Sequence, residues 1–193
     1  TPEGPMPIEV FGKHNLSNLA GAKWICQNMG IDEDDFYEAI ATFKGASKRL
    51  EKIAEGKTSV AYKDFAHSPS KVAATTKAVK EQYPKRKLIA CLELHTYSSF
   101  NPEFLKEYKG ALDAADEAVI FFLPESVVIK KLEAVTPDQI TDAFQRKDLK
   151  IFTDAVSFHD YVNQSDYTNT TLLLMSSGNY GGLDLKKISN LLM

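Results

Sequence analysis

The sequence predicts an α/β fold: a doubly wound, mostly parallel sheet flanked by helices, preceded by a fragment of another domain made of one strand and two helices. Three observations carry this. From Asp64 onward, strand-like and helix-like stretches alternate, the rhythm of a parallel sheet with crossover helices. The run Lys87 to Leu94 is apolar almost throughout instead of alternating, as in a strand covered on both faces. The chain has 193 residues, 44% hydrophobic and 25% charged, enough to bury such a core.

Taken in order, Thr1 to Pro7 is Pro-rich and extended, and Ile8-Glu9-Val10-Phe11 alternates like an edge strand that Gly12 breaks. A helix follows to about Met29, with Gly30 as its stop and Leu16, Leu19, Cys26 and Met29 as its apolar stripe. Asp32 caps a second helix that passes Phe36 and Ile40 to Phe43 and ends at Gly45. Gly45-Ala46-Ser47 reads as a linker. One strand and two helices close no core alone, so residues 1–45 read as the tail of an earlier domain and 46–193 as a complete one.

Lys48 to Ala54 and Thr58 to Tyr62 flank a turn at Glu55-Gly56-Lys57 and predict a hairpin. Gly56-Lys57-Thr58 imitates the end of a phosphate-binding loop, but Glu51 stands where that pattern needs its first glycine, and a strand follows instead of a helix. A helix from Pro69 to Tyr83 buries Val72, Thr75, Thr76 and Val79. The strand Lys87 to Leu94 comes next, then a helix from Pro102 to Ala115 and a strand from Ala118 to Leu123. Helices at 126–133 and 138–145, a strand at 150–152, a helix at 155–163, a strand at 171–175 and a helix at 183–193 complete the series.

Composition excludes several classes of function. A net charge of −3, with 23 Lys and Arg scattered along the chain, makes no basic field for nucleic acid. Two cysteines, Cys26 and Cys91, are too few for a disulfide framework and read as small buried hydrophobes in a reducing, cytoplasmic setting. No apolar run approaches the roughly 18 residues that span a bilayer, and no signal-peptide pattern is present. A start at Thr1 reads as part of something longer.

In such a sheet the loops leaving the carboxyl ends of the strands share one crevice with the helix N-termini, where ligands bind. These loops are Asp64 to Ser68, Glu93 to Ser99, Leu123 to Ser126 and Ser176 to Gly182. Asp64 can accept from ribose hydroxyls or cations, or cap the Pro69 helix; His67 can meet an anion or be a satisfied structural histidine. Asn15 and Asn18 share one face of a first helical turn, where two carboxamides can hold one planar polar ligand; alternatively Asn15 caps the helix and Asn18 is solvated. Glu93, His95, Tyr97 and Ser98 form a polar cluster after an apolar strand, or an ordinary solvated turn. The Ser177 to Gly182 loop, with Gly178 and Asn179, can cradle an anion on its amides or make a tight turn. His159, in a helix, needs no function.

Three stretches in order, Gly12-Lys13-His14-Asn15-Leu16-Ser17-Asn18, Phe43 to Glu51 and Asp64-Phe65-Ala66-His67-Ser68-Pro69, resemble successive motifs of the Mur ligases. These are cytoplasmic, ATP-dependent, amide-forming enzymes of peptidoglycan synthesis with three domains. The chain resembles the end of their central ATPase domain plus the complete C-terminal Rossmann-like domain. The resemblance implies ATP and Mg2+ as cofactors, UDP-N-acetylmuramate and an amino acid or peptide acceptor as partners, and reaction through an acyl phosphate. It implies that His14, Asn15 and Asn18 lie near the adenine, that Asp64 binds the ribose with His67 in the same turn, and that Arg49 reaches the γ-phosphate as the catalytic cation. The ligands of the metal belong to the part of the family fold outside this chain. The acceptor would lie near Glu93, His95, Tyr97, Ser98, Gly178 and Asn179.

Within the family, Leu174-Met175-Ser176-Ser177-Gly178-Asn179-Tyr180-Gly181-Gly182 and Phe65-Ala66 resemble the recycling ligase that attaches a whole L-alanyl-γ-D-glutamyl-meso-diaminopimelate tripeptide. Glu93 to Ser98 resembles equally the alanine-adding ligase. The tripeptide reading is preferred and the alanine reading is its alternative. A standalone binding module with the same fold is the alternative of another class.

Overall fold

The computed structural model describes residues 4–132 and 134–192. Its strands, β1 (Glu51–Glu55), β2 (Val60–Asp64), β3 (Lys87–Glu93), β4 (Glu117–Phe121), β5 (Lys150–Phe152) and β6 (Thr170–Met175), form one six-stranded sheet in the order β1-β2-β6-β3-β4-β5. Only the β1–β2 pair is antiparallel among the described residues. It is the expected hairpin, except that its first strand starts at Glu51 and not Lys48, because Lys48 and Leu50 take left-handed backbone; the Gly56 amide donates to the Ser59 carbonyl at 2.9 Å, so Gly-Lys-Thr makes a turn and no phosphate loop.

The sheet is wound on both faces because its central strands are apolar on both sides. Leu88, Ala90 and Leu92 of β3 point to α3 (Pro69–Gln82), α5 (Pro124–Ile129) and α6 (Pro137–Phe144). Ile89 and Cys91 point the other way, to α7 (Ala155–Gln164) and α8 (Leu185–Leu191). Each fully buried Leu, Ile or Phe in these layers contributes roughly 1.5–3 kcal/mol. Val72, Thr75, Thr76 and Val79 form the buried face of α3. Cys91 is buried as expected, and burial pushes its thiol well above the ordinary range.

Several expectations are corrected. Ile8 to Phe11 forms no strand: the apolar alternation serves to dock one ring, Phe11, edge-on against Tyr62 and Tyr83 at 5.5 and 6.3 Å. The leading fragment is therefore two helices without a strand. In α1 (Lys13–Asn28) no residue is buried, and Leu16 and Met29 of the expected stripe are 44% and 76% exposed. Cys26 is only half-buried. α2 (Glu33–Ala41), capped by Asp32 as expected, stops two residues short of Phe43 and buries Phe36 alone. Both core clusters draw their buried members from Leu50 onward.

The single helix expected from Pro102 to Ala115 is broken. α4 (Pro102–Leu105) gives way to a 3-10 turn at Lys106–Tyr108, because fully buried Tyr108 draws the chain inward. Its hydroxyl donates to the His67 carbonyl, its ring stacks on Phe144 at 5.1 Å, and Gly110 then turns the chain with φ +73°. The last helix starts at Leu185, two residues late, capped by the Asp184 carboxylate. The ends expected for two helices at Glu133 and Met193 lie outside the described residues, as do Thr1 to Glu3. Among the described residues no helix is long and apolar enough to cross a membrane.

At the amino edge of the sheet, Glu117 takes the Lys87 and Lys150 ammonium groups at 2.6 and 2.5 Å and the Tyr161 hydroxyl at 2.5 Å. Burial alone would raise its pKa, but these donors outweigh it and hold the carboxyl at about 2. A depressed folded-state value stabilises the fold above the unfolded value, and the gain fades as pH falls through the folded one. Glu117→Gln is expected to lose about 2–3 kcal/mol at neutral pH and to flatten the acid limb of stability between about pH 4.5 and pH 2. Thermal melts of both proteins across that window check this; parallel acid limbs contradict it.

Candidate functional site

A cavity of about 680 Å³ lies between α1, the end of α2, the Gly45 to Arg49 turn and the first turns of α3. α1 can approach α3 because Gly12, at φ +88°, has no Cβ; one would meet the Ala78 Cβ at 2.8 Å. The cavity brings together His14, Asn15, Asn18, Arg49 and Asp64, from three separate stretches of sequence. It does not include His67. The His67 Nδ1 lies 2.8 Å from the Phe65 carbonyl and its ring rests edge-on against Phe65, so it braces the strand-to-helix turn.

Asp64 closes β2 and is 6% exposed. Its carboxylate does not cap α3. One oxygen accepts the Leu50 amide and the other the Ala66 amide, each at 2.6 Å. The Phe65 amide donates to the Lys48 carbonyl at 2.9 Å, and the Lys48 amide to Glu51 at 2.8 Å. These bonds hold a turn in which Lys48 and Leu50 have φ of 58° and 51°, left-handed values that cost a non-glycine residue about 1–2 kcal/mol. Between them stands Arg49, exposed and without an ion-pair partner among the described residues.

On α1 the Asn15 amide group donates to the Phe11 carbonyl at 2.9 Å, which leaves its oxygen for a ligand. The Asn18 carboxamide, exposed at the cavity, has no partner among the described residues. Leu19, Ala22, Ile40, Phe43 and Ala74 supply apolar walls, and Lys71 a second cation; Asp64 is the one carboxylate in the lining among the described residues. Apolar walls with a few convergent polar groups and two unpaired cations suit a flat heterocycle that carries an anion. Sequence reasoning missed Lys71 and the cavity role of Thr75.

The second cluster is laced together more than it is open. Glu93, 4% exposed, accepts from the Ser176 hydroxyl and from the Tyr180 amide, the latter at 2.9 Å. The Gly178 amide donates to the Ser176 oxygen at 2.6 Å, and a Cβ on Gly178 would fall 2.8 Å from the Glu93 carboxylate. Glu93 and Gly178 thus fasten the β6 loop to β3. Groups open to solvent are His95, whose Nδ1 is 3.9 Å from Glu93, and Tyr97, 65% exposed under Lys130. Ser98 bonds Thr96 at 3.1 Å, and exposed Asn179 uses its carbonyl to accept the Gly182 and Leu183 amides. Among the described residues no three His, Cys, Asp or Glu side chains converge as a metal site.

A doubly wound sheet with a cation-lined cavity beside the carboxyl end of a strand places that cavity where open α/β folds bind their ligands. The chain belongs to the Mur ligase family: the description "Mur ligase, glutamate ligase domain" matches residues 48–178. It is 30% identical over 180 residues to the UDP-N-acetylmuramate--L-alanine ligase of Caldanaerobacter subterraneus subsp. tengcongensis, which covers 91% of this chain and 38% of that one. The enzyme of the same name from Lactococcus lactis subsp. cremoris is 29% identical over 154 residues, 80% of this chain and 34% of its own. Among solved structures, the UDP-N-acetylmuramate-alanine ligase of Thermotoga maritima superposes with a TM-score of 0.70 at 19% identity, over 96% of this chain and 38% of that one. The likeness in structure speaks for the fold. The chain spans about a third of the length of the curated relatives it matches.

Proposed function

We propose that the chain is part of an ATP-dependent ligase that joins the carboxylate of UDP-N-acetylmuramate to the amine of L-alanine in the cytoplasm. The carrying observation is the cavity that gathers Asn15, Asn18, Arg49 and Asp64. The tripeptide acceptor preferred on sequence gives way to its alternative, because both curated relatives cited above are named alanine ligases. Residues 1–45 belong to a central ATPase domain and 46–193 to the C-terminal one, a division supported by a core that begins at Leu50. An α1 without a buried residue speaks against a standalone module.

The lining fits ATP at the nucleoside and at one end of the phosphates. ATP supplies the phosphoryl group that activates the carboxylate. Asn18, with the Asn15 oxygen, holds the base edge, and His14 lies in the same first turn. Asp64, its two amide bonds kept, has lone pairs left for a ribose hydroxyl. Arg49 offers a permanent forked cation to the γ-phosphate, where charge develops during transfer. Among the described residues no three His, Cys, Asp or Glu side chains gather as ligands for Mg2+. His95, Tyr97, Ser98 and Asn179 remain open to the acceptor.

Full-length protein supplied with UDP-N-acetylmuramate, ATP and either L-alanine or the tripeptide tests this. Phosphate release with L-alanine is expected. Release with the tripeptide alone overturns the alanine reading, and release with neither overturns the ligase reading.

A further inference from the structure

We propose that Lys71 is a second phosphate-binding cation of the cavity and that Thr75, one helical turn below it, bonds the nucleoside; the proposal rests on reading the cavity as a nucleotide site. Both residues line the cavity on the same face of α3.

Lys71 occupies the third position of α3, a helix with no acidic residue in its first turn and no side-chain cap from Ser68. The first-turn amides of a helix carry partial positive charge, and a lysine there opposes it by about 0.3–1 kcal/mol. No carboxylate among the described residues pairs with Lys71 to offset this. Asp64, the only acid in the cavity lining among the described residues, is engaged by the Leu50 and Ala66 amides. Lys71 and Arg49 thus line one cavity beside the start of α3 with no carboxylate paired to either among the described residues, an arrangement stabilised by a polyanion.

Thr75 is the independent observation. A helical threonine in this fold ordinarily bonds the carbonyl one turn back, as Thr76 does to Val72 at 2.8 Å and Thr141 to Pro137 at 3.0 Å. The Thr75 hydroxyl does not, and it has no other partner among the described residues; the residue is only 3% exposed, yet its Oγ1 is not one of the fully buried unpartnered atoms, so the hydroxyl keeps an opening to the cavity that the residue lines. Thr75 lines the same cavity as Asn18 and lies about 6 Å along the helix from Lys71. This spacing sets an order in the cavity: phosphates at Lys71 and Arg49, the polar edge of the nucleoside at Thr75.

The test is an NMR titration of the isotope-labelled protein with ATP and, separately, with adenosine, which reads weak as well as tight binding. Lys71→Gln is expected to lower ATP affinity about tenfold and leave adenosine affinity unchanged. Thr75→Val, which should melt no lower than wild type, is expected to lower both affinities by the same severalfold factor. Unchanged ATP affinity in Lys71→Gln, or an equal loss for adenosine, overturns the phosphate role. Unchanged affinities in Thr75→Val overturn the nucleoside role. If Arg49→Ala alone loses ATP, the nucleotide reading survives while this proposal fails. If wild-type protein responds to neither ligand, both fail.

Discussion

Replacing Arg49 by alanine is expected to lower kcat of the proposed full-length ligase by on the order of 10²-fold or more, while KM for UDP-N-acetylmuramate should stay close to wild type. The expectation follows from what surrounds the side chain. Arg49 has no ion pair to break among the described residues, so its loss should cost little stability, and it sits on a turn held by four hydrogen bonds. A cation placed that firmly and left unneutralised acts best on charge that appears only during phosphoryl transfer. Arg49→Lys should recover part of the rate, because an ammonium keeps the charge and loses the fork. Steady-state phosphate release measures both variants. An unchanged kcat in Arg49→Ala removes it from the phosphate.

Asp64→Ala is expected to destabilise the chain by about 2–4 kcal/mol, since it strips two buried amides of a charged acceptor. The loss falls on the Arg49 turn first: the Leu50 amide is one of its fastenings, and Leu50 holds a left-handed φ of 51° only while the turn is fixed. Asp64→Asn keeps one accepting oxygen and should fall between the two. Urea unfolding gives the energies, and backbone amide shifts of residues 46–50 report the turn. Equal stability of Asp64→Ala and wild type would show that the two bonds carry no weight.

The sheet was legible because its signal is local. An unbroken apolar run such as β3 has few ways to be buried, and the helices between strands show their period directly. Failures came where a single distant contact decides. Tyr108 breaks a helix that its own neighbourhood favours, because its hydroxyl reaches the His67 carbonyl. Phe11 imitates a strand while docking on Tyr62. α1 shows apolar residues at helical spacing that this chain leaves uncovered.

At the site, Asn15, Asn18, Arg49 and Asp64 were legible through ordered motifs, whereas their surroundings were not. That Lys48 and Leu50 adopt left-handed backbone is invisible in residues with no preference for it. Lys71 became meaningful only once the start of α3 was fixed at Pro69, which sets which side chains face α1. Thr75 was legible as buried; its idle hydroxyl was not.

The lacing of Glu93 to Ser176 and Tyr180 has a consequence for redesign. The loops after β3 and β6 form one cassette. Grafting the β6 loop of a relative with another acceptor, and leaving β3 as it is, would strand a buried carboxylate without donors. If these loops hold the acceptor as proposed, acceptor preference should therefore transfer only when residues 93–98 and 176–182 are exchanged together.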